Sequence, residues 1–302
     1  MPRGGTLSRP GIPTAARRPN RTRGYPDRLV AERALSGLLR ELDRDAEGMS
    51  TATPPGAHRP FPPRYFETAQ WSLRPIRLAL LAARRISVAS ILDLPCGNGR
   101  ILRALRAEFT DARIVACDIN REFVDFCAAA FDAIPAYSSE DPREIRLEGR
   151  FDLIWCGSLL THVDAPLWTA FLQLFESLLE PGGVLVFSTL GRFAADRVRA
   201  GTAPGLSSDE AQAMVRDYDR SGFGYGRYSD EGREDRRARA LPDEYGLTLA
   251  APWWVCARVQ EDAPKLDMLG FLAGGYGPRW GADRPPNGLN GQDIVSCIRM
   301  RD

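Results

Sequence analysis

The chain has 302 residues, of which 44% are hydrophobic, and its 40 basic and 39 acidic side chains give a formal net charge of +1. This length accommodates one large α/β domain with additions or two small domains. The balanced charge excludes a global electrostatic attraction to nucleic acid or acidic membranes, so neither is expected as a partner.

Cysteine and histidine usage indicates a reduced protein without a metal. The six cysteines form no C-x-x-C pair, and the two histidines, His58 and His162, give little support to a zinc site. No apolar run approaches the roughly 20 residues of a membrane span, and the Arg- and Pro-rich start lacks a secretory signal. We therefore expect a soluble, cytoplasmic protein, and the sequence leaves its oligomeric state open.

The first part of the chain predicts a polar tail followed by helices. Residues 1–25 carry too few apolar groups to offset the entropy of ordering, which predicts disorder. Residues 26–86 predict a helical extension with an amphipathic first helix, a Pro-rich loop that contains His58, and a second helix that breaks or kinks at Pro75.

From residue 87 onward, short apolar runs alternate with helical ones, which predicts βαβ units and a parallel sheet. Residues 201–245 interrupt this pattern and predict an inserted lid. The last strand candidates, 266–272 and 293–300, would close the sheet antiparallel. Residues 87–302 are thus expected to form one domain that carries the lid.

The strongest motif occupies residues 91–100, where an apolar strand enters a turn with Asp93, Gly97 and Gly99 and continues into a helix. Nucleotide-type ligands bind at such turns, because glycine admits a close backbone approach and helix amides point at the ligand. A fixed carboxylate here would repel a pyrophosphate and attract an ammonium group. S-adenosylmethionine has the ammonium and no phosphate. The spacing also departs from G-x-G-x-x-G, which disfavours an oxidoreductase.

A second acid, Asp118, ends the strand 114–118 and lies 21 residues after Gly97. This spacing is close to the ~20 residues expected for an acid that receives ribose hydroxyls. Ile119 beside it would pack on the adenine. A strand-end Asp alone is more often a helix cap, but its combination with the glycine turn favours a cofactor role.

Together these residues resemble the class I S-adenosylmethionine-dependent methyltransferases over about residues 87–190. The resemblance rests on segments 93–100, 151–155, 157–162 and 181–183 and on Asp118. A closer similarity is to a bacterial subgroup often encoded near glycosyltransferases, in which Asp-Leu-Pro-Cys-Gly, Gly-Ser-Leu-Leu-Thr-His and a late Gln-Asp, here Gln292 and Asp293, recur. Asn98 stands where that subgroup usually has His.

The resemblance implies a Rossmann-like, seven-stranded, mostly parallel sheet with helices on both faces and a lid after the fifth strand. It implies transfer of a methyl group from S-adenosylmethionine, leaving S-adenosylhomocysteine, to an oxygen of a small-molecule or sugar acceptor. The candidate cofactor-binding residues are Asp93, Pro95, Cys96, Gly97, Gly99, Arg100, Asp118, Ile119, Ser138, Ser139, Cys156 and Gly157.

His162 is the candidate catalytic residue, because an imidazole near neutrality can take a proton from an acceptor hydroxyl. The alternative is a histidine of the pocket wall, which we favour because methyl transfer can proceed by proximity and alignment. His58, Tyr225 and Tyr228 are candidate substrate contacts. The aromatic residues between 218 and 228 form either a lid over the acceptor or anchors of the insertion.

Two alternatives from other functional classes stay open. A regulatory protein with the same pocket would bind S-adenosylmethionine without turnover. A nicotinamide-dependent oxidoreductase is separated from a methyltransferase by comparing NAD with S-adenosylhomocysteine as ligands.

Overall fold

The computed structural model describes residues 28–54, 61–229, 242, 244–276 and 291–301. The tail predicted for residues 1–25 and the candidate His58 lie outside these ranges. Contacts divide the chain into two units, residues 1–41 and 42–302, and most of helix α1 (Arg28–Asp43) belongs to the first.

A seven-stranded sheet in the order β3-β2-β1-β4-β5-β9-β8 organises the second unit. Strands β1 to β5 pair in parallel, and β9 is antiparallel to both of its neighbours. This confirms the predicted Rossmann-like, mostly parallel sheet with its antiparallel finish. The seven strands are β1 (Ser90–Asp93), β2 (Arg113–Asp118), β3 (Ile134–Tyr137), β4 (Phe151–Cys156), β5 (Leu179–Thr189), β8 (Leu266–Tyr276) and β9 (Gln292–Arg299).

Helices cover both faces of the sheet, as predicted. Their bounds are α2 (Pro63–Ala82), α3 (Leu102–Glu108), α4 (Arg121–Phe131), α5 (Ala165–Leu178), α6 (Arg192–Arg199), α7 (Ser208–Ser221) and α8 (Pro252–Asp262). Asn120 and Asp164 cap α4 and α5, each accepting a hydrogen bond from a backbone N–H of the first turn. The α2 helix continues through Pro75 instead of breaking there.

The central strands contribute side chains to two separate hydrophobic cores, because successive residues of a strand point to opposite faces of the sheet. Ile91 and Leu153 pack with residues of α2, α3 and α4, whereas Leu92 and Ile154 pack with residues of α5 and α8. All four side chains are fully buried. Strands buried on both faces explain why the sequence shows continuous apolar runs in this region.

The predicted turn at residues 181–183 lies inside β5. The pairing register between β4 and β5 shifts after Phe151, so the extra residues bulge while the strand continues to Thr189. A side chain at Gly183 would come within 2.8 Å of the carbonyl oxygens of Glu180 and Phe151. Glycine is therefore required there by close backbone packing.

The insertion after β5 forms its own small core. Strands β6 (Phe223–Arg227) and β7 (Gly246–Ala250) pair antiparallel, and Met214 of α7 packs with Leu247 and Leu249 of β7. Backbone N–H groups of Gly246 and Thr248 donate to the carbonyls of His162 and Thr161, at 3.0 and 2.9 Å. These bonds fix β7 against the segment that follows β4. None of the described helices has the length and apolar character of a membrane span.

Candidate functional site

The site lies where the carboxyl ends of β1, β2 and β4 meet, which is the usual ligand position in a parallel α/β sheet. A single cavity of ≈ 770 Å³ opens there. The residues that line it are Leu94, Pro95, Gly97, Asp118, Ile119, Phe123, Ser138, Ser139, Glu140, Asp141, Arg143, Ser158, Leu159, His162, Val163, Leu167, Phe171, Pro204, Gly205, Tyr228, Pro242, Glu244 and Tyr245.

Asp93, the last residue of β1, is buried beside the cavity with 1% of its surface exposed. Neither of its carboxylate oxygens has a hydrogen-bond partner among the described residues. Burial, assisted by the nearby charge of Asp118, raises the pKa of Asp93 well above its usual range. A buried acid without partners is costly, and a cationic ligand group is what would compensate it.

Asp118, the last residue of β2, holds two backbone segments. Its Oδ2 accepts from the Gly97 N–H at 2.8 Å, and its Oδ1 accepts from the Asn120 N–H at 2.9 Å. Burial raises the pKa of Asp118, and these backbone hydrogen bonds oppose the rise. The carboxylate lines the cavity and retains lone pairs for hydroxyl groups of a ligand.

The two glycines of the glycine turn, residues 96–99, serve different purposes. Both have positive φ, +49° at Gly97 and +76° at Gly99. A side chain at Gly97 would meet no atom within 4 Å and would project into open space, whereas one at Gly99 would lie 2.3 Å from the Phe131 ring. Gly97 thus keeps space free for a ligand, and Gly99 is required by packing.

A second part of the cavity wall is formed by residues that come directly after β2 and β3. Ile119, Ser138 and Ser139 line the cavity as candidates for the adenine end. Residues 140, 141 and 143 also line it and were not predicted. Their position directly after β3, at the same edge of the sheet, was the available signal.

Four other candidates, Cys96, Arg100, Cys156 and Gly157, do not line the cavity. Cys96 and Cys156 are buried, and a side chain at Gly157 would lie 2.8 Å from the indole nitrogen of Trp155. Arg100 is exposed, and its guanidinium lies 5.2 Å from the ring centre of Tyr65. Pro95 is in the cavity wall.

His162 lies in the cavity wall with one ring nitrogen fixed. Its Nδ1 is 3.0 Å from the Gly246 carbonyl and 2.9 Å from the Tyr228 hydroxyl, and its ring stacks on Tyr245. The Gly246 carbonyl can only accept, so its contact assigns the hydrogen to Nδ1. The Tyr228 hydroxyl then also accepts from Nδ1, and the lone pair is on Nε2. Burial lowers the pKa of His162, and the Gly246 bond opposes this.

The two candidate tyrosines of the insertion occupy different places. Tyr228 lines the cavity beside His162, and Tyr245, which was not predicted, also lines it and stacks on the imidazole. Tyr225 does not line the cavity, and its hydroxyl donates to the Glu244 carbonyl. Two aromatic residues of the predicted lid, Tyr228 and Tyr245, therefore reach the site, and Tyr225 anchors the insertion.

Ser158 is a cavity residue that the sequence did not single out. Its φ of +61° is unusual for a residue with a side chain, and its N–H donates to the Ser188 hydroxyl at 2.8 Å. The Gln292 amide donates to the Ser158 hydroxyl at 3.0 Å. Gln292, noted in the sequence only for its family resemblance, thereby fixes a polar group in the cavity wall.

This arrangement fits S-adenosylmethionine. A buried acid without partners suits its ammonium, the open space at Gly97 admits its methionine end, and Asp118 suits the ribose. Residues 91–183 match a family model described as a methyltransferase domain. We refer to this segment as the methyltransferase domain.

Relatives of the methyltransferase domain act in small-molecule metabolism. A ubiquinone biosynthesis O-methyltransferase from Xanthomonas campestris pv. campestris is 34% identical over 132 residues, which cover 41% of this chain and 53% of that protein. The same enzyme from Xanthomonas euvesicatoria pv. vesicatoria is 32% identical over 132 residues, with the same coverage. The chain thus spans about half the length of the curated relatives it matches.

Two solved structures are similar to the chain. DesVI from Streptomyces venezuelae has a TM-score of 0.49 and 16% identity, covering 78% of this chain and 93% of DesVI. CalS10 from Micromonospora echinaspora, an amino pentose methyltransferase, has a TM-score of 0.46 and 15% identity, covering 90% and 97%.

The methyltransferase domain supplies only part of the cavity. Asp93, Asp118 and His162 lie within residues 91–183, but Tyr228 and Tyr245 come from the insertion. Six of the residues that line the cavity, between 204 and 245, therefore lie outside the matched domain.

Proposed function

We propose that this chain is an S-adenosylmethionine-dependent methyltransferase that transfers a methyl group to a hydroxyl oxygen of a small-molecule acceptor. The observation that carries the proposal is the single cavity that runs from the glycine turn and Asp118 to His162. One continuous space accommodates a cofactor and an acceptor in contact, which is what a direct transfer requires. The similarity of the domain to O-methyltransferases supports oxygen as the methylated atom.

On the cofactor side, the residues divide by the group that each suits. Asp93 would neutralise the ammonium, Asp118 would accept from the ribose hydroxyls, and Ser138 and Ser139 would lie at the adenine. When bound, S-adenosylmethionine supplies an electrophilic methyl group on a sulfonium. Pairing of Asp93 with a cation would lower its raised pKa and hold it ionised.

On the acceptor side, His162 is proposed as the general base. Its Nε2 would take the hydroxyl proton while the oxygen forms its bond to the methyl carbon. The Gly246 carbonyl keeps the hydrogen on Nδ1, so that Nε2 is the basic atom. Because burial lowers its pKa, His162 is neutral and able to accept a proton at pH 7.

The cavity wall supports an acceptor with a compact ring. Leu159, Val163, Leu167 and Phe171 make part of the wall apolar, and Tyr245 adds an aromatic face beside His162. Such walls bind the body of a ligand, and a few polar groups orient it. A sugar is the more specific acceptor that we propose, since its ring can pack on an aromatic face while one hydroxyl approaches Nε2.

Calorimetric titration with S-adenosylhomocysteine and, separately, with NAD tests the cofactor. We expect S-adenosylhomocysteine to bind, NAD not to bind, and Asp118→Ala to weaken binding at least about tenfold, which corresponds to ~1.4 kcal/mol. Asp125→Ala, which removes an exposed acid of α4, is the matched control and should bind like the wild type. Binding of NAD alone, or of neither ligand, would show that the proposal is wrong.

Turnover separates an enzyme from a regulatory protein with the same pocket. The protein is incubated with S-adenosylmethionine carrying a labelled methyl group and with pools of phenols and of sugars. We expect label in at least one hydroxyl-bearing product. Tight binding of S-adenosylhomocysteine without transfer to any member of either pool would favour the non-catalytic alternative.

A further inference from the structure

Arg103 of α3 is a buried cation next to the glycine turn. Only 1% of its surface is exposed, and no carboxylate among the described residues forms an ion pair with it. A buried charge is costly unless its hydrogen bonds are made and its charge is compensated. The neighbours of this guanidinium therefore indicate what it holds in place.

Carbonyl groups from two separate segments receive the Arg103 hydrogens. Nε donates to the Gly99 carbonyl at 3.1 Å. Nη1 and Nη2 donate to the carbonyls of Ser50 and Ala52, at 2.7 and 3.1 Å. One side chain thus ties the glycine turn to the segment that precedes α2.

Aromatic rings surround the same guanidinium and compensate its charge through their electron-rich faces. The ring centres of Tyr65, Phe66 and Phe131 lie 5.0, 5.3 and 5.0 Å from its central carbon. Phe61, at 5.6 Å from that carbon, stacks on Tyr65 with 3.9 Å between the ring centres.

Tyr65 makes a direct contact with the turn. Its hydroxyl donates to Oδ1 of Asn98 at 2.8 Å and lies 3.1 Å from the Asn98 carbonyl. Arg103 donates to the same hydroxyl at 3.4 Å. Burial raises the pKa of Tyr65 to about 12, so the hydroxyl keeps the proton that it donates. Asn98 lies between Gly97 and Gly99, which both have positive φ, so this hydrogen bond holds the centre of the glycine turn.

We infer that Tyr65, together with Arg103, positions the glycine turn for the cofactor, so that cofactor binding depends on a side chain outside the methyltransferase domain. This inference rests on the proposed function. A turn that is fixed before binding loses less conformational entropy when the ligand arrives, and its affinity is higher for that reason. Tyr65 is a positioning residue: it acts through Asn98.

The test variant is Tyr65→Phe, which keeps the ring in contact with Phe61 and Arg103 and removes only the hydroxyl. We expect its affinity for S-adenosylhomocysteine, measured by calorimetry, to fall about three- to tenfold, as for the loss of one hydrogen bond. Amide hydrogen exchange at residues 96–100 should become faster in the free protein, with exchange in β4 and β5 unchanged. Tyr137→Phe, whose lost hydroxyl donates to Asp125 at the surface, is the matched control and should change neither quantity.

A double-mutant cycle with Asn98 tests whether Tyr65 acts on cofactor binding through that residue. Asn98→Ala should weaken binding by a similar factor, and the double variant with Tyr65→Phe should bind no more weakly than the weaker single variant. The inference is overturned if Tyr65→Phe binds within twofold of the wild type, or if the two effects multiply. Failure of the wild type itself to bind S-adenosylhomocysteine would overturn the proposed function along with it.

Discussion

Burial raises the pKa of three buried acidic side chains, Asp93, Asp118 and Asp293. A raised pKa in the folded state favours the protonated form. Such a group contributes stability below its unfolded pKa and loses that contribution as the pH rises through its folded pKa. At pH 7 these acids therefore lower the stability of the ligand-free protein. For Asp93 and Asp118 the proposed cofactor role explains this cost.

Asp293 allows the cost to be measured outside the proposed cofactor contacts. Its pKa is raised to about 6, and its Oδ1 accepts from the Gly274 N–H at 2.6 Å. Asp293→Asn keeps an acceptor oxygen and removes the charge. We expect the variant to unfold with a free energy up to about 3 kcal/mol higher than the wild type at pH 7. The gain should shrink between pH 6 and pH 4, when the wild-type acid protonates.

Urea unfolding at several pH values measures this difference. The control is Asp267→Asn, which changes an exposed acid of β8 and should give no pH-dependent gain. If the difference in unfolding free energy between Asp293→Asn and the wild type did not change with pH, the raised pKa of Asp293 would be contradicted.

His162→Asn separates proton transfer from binding. The Asn side chain can still donate toward the Gly246 carbonyl, but it has no counterpart of Nε2. We expect kcat/KM with an acceptor from the pools to fall about 10²- to 10⁴-fold, with affinity for S-adenosylhomocysteine within about twofold.

The pH profile gives a second measure of the same residue. Since burial lowers the pKa of His162, wild-type activity should hold below pH 6.5 and fall only as the pH drops through the lowered pKa. The residual activity of His162→Asn should lack this decline. Retained wild-type activity in the variant would assign His162 to the pocket wall instead.

At the scale of elements, tertiary packing determined the helix and strand assignments that the local sequence did not predict. Pro75 lies inside α2, where proline lacks an N–H and usually breaks a helix. Leu73 and Ile76 on either side of it are fully buried, and this burial outweighs the lost hydrogen bond. Strand β2, whose apolar run is continuous, was predicted over residues 114–118 and spans Arg113–Asp118 in the structure. Strand β6 was not predicted, because its partner β7 lies far along the chain.

The contact between α7 and β6 depends on Gly224. A side chain there would lie 2.0 Å from the Met214 carbonyl oxygen, which belongs to a helix backbone and cannot rotate away. Gly224→Ala should therefore lower the unfolding free energy by at least about 1–3 kcal/mol, measured by urea denaturation. Gly270→Ala in β8 is the control, since its side chain would lie 3.4 Å from the Ser296 hydroxyl, and it should be nearly neutral. Equal stability of the two variants would contradict this contact.

At the scale of the whole molecule, the predictable part of the site is the part that is local in sequence. Strand, turn and acid follow one another at the glycine turn, so Asp93, Gly97 and Asp118 could be selected from spacing. The groups that orient His162 and Ser158 are distant from them in the sequence, so no local pattern predicts these contacts. The Gly246 carbonyl that orients His162 is 84 residues away, and Gln292 is 134 residues from Ser158. Only the folded sheet and insertion bring these groups together.

Strand β9 lies between β5 and β8, although it is the last of the three to be synthesised. While the ribosome is still making the residues between β8 and β9, β8 lacks β9, the one strand that it pairs with in the described structure. The outer edge of β5 stays open for the same period. Open strand edges are templates for pairing with other chains. The nascent protein therefore completes its sheet only when residues 292–299 emerge, and until then a chaperone that covers strand edges would protect it from aggregation.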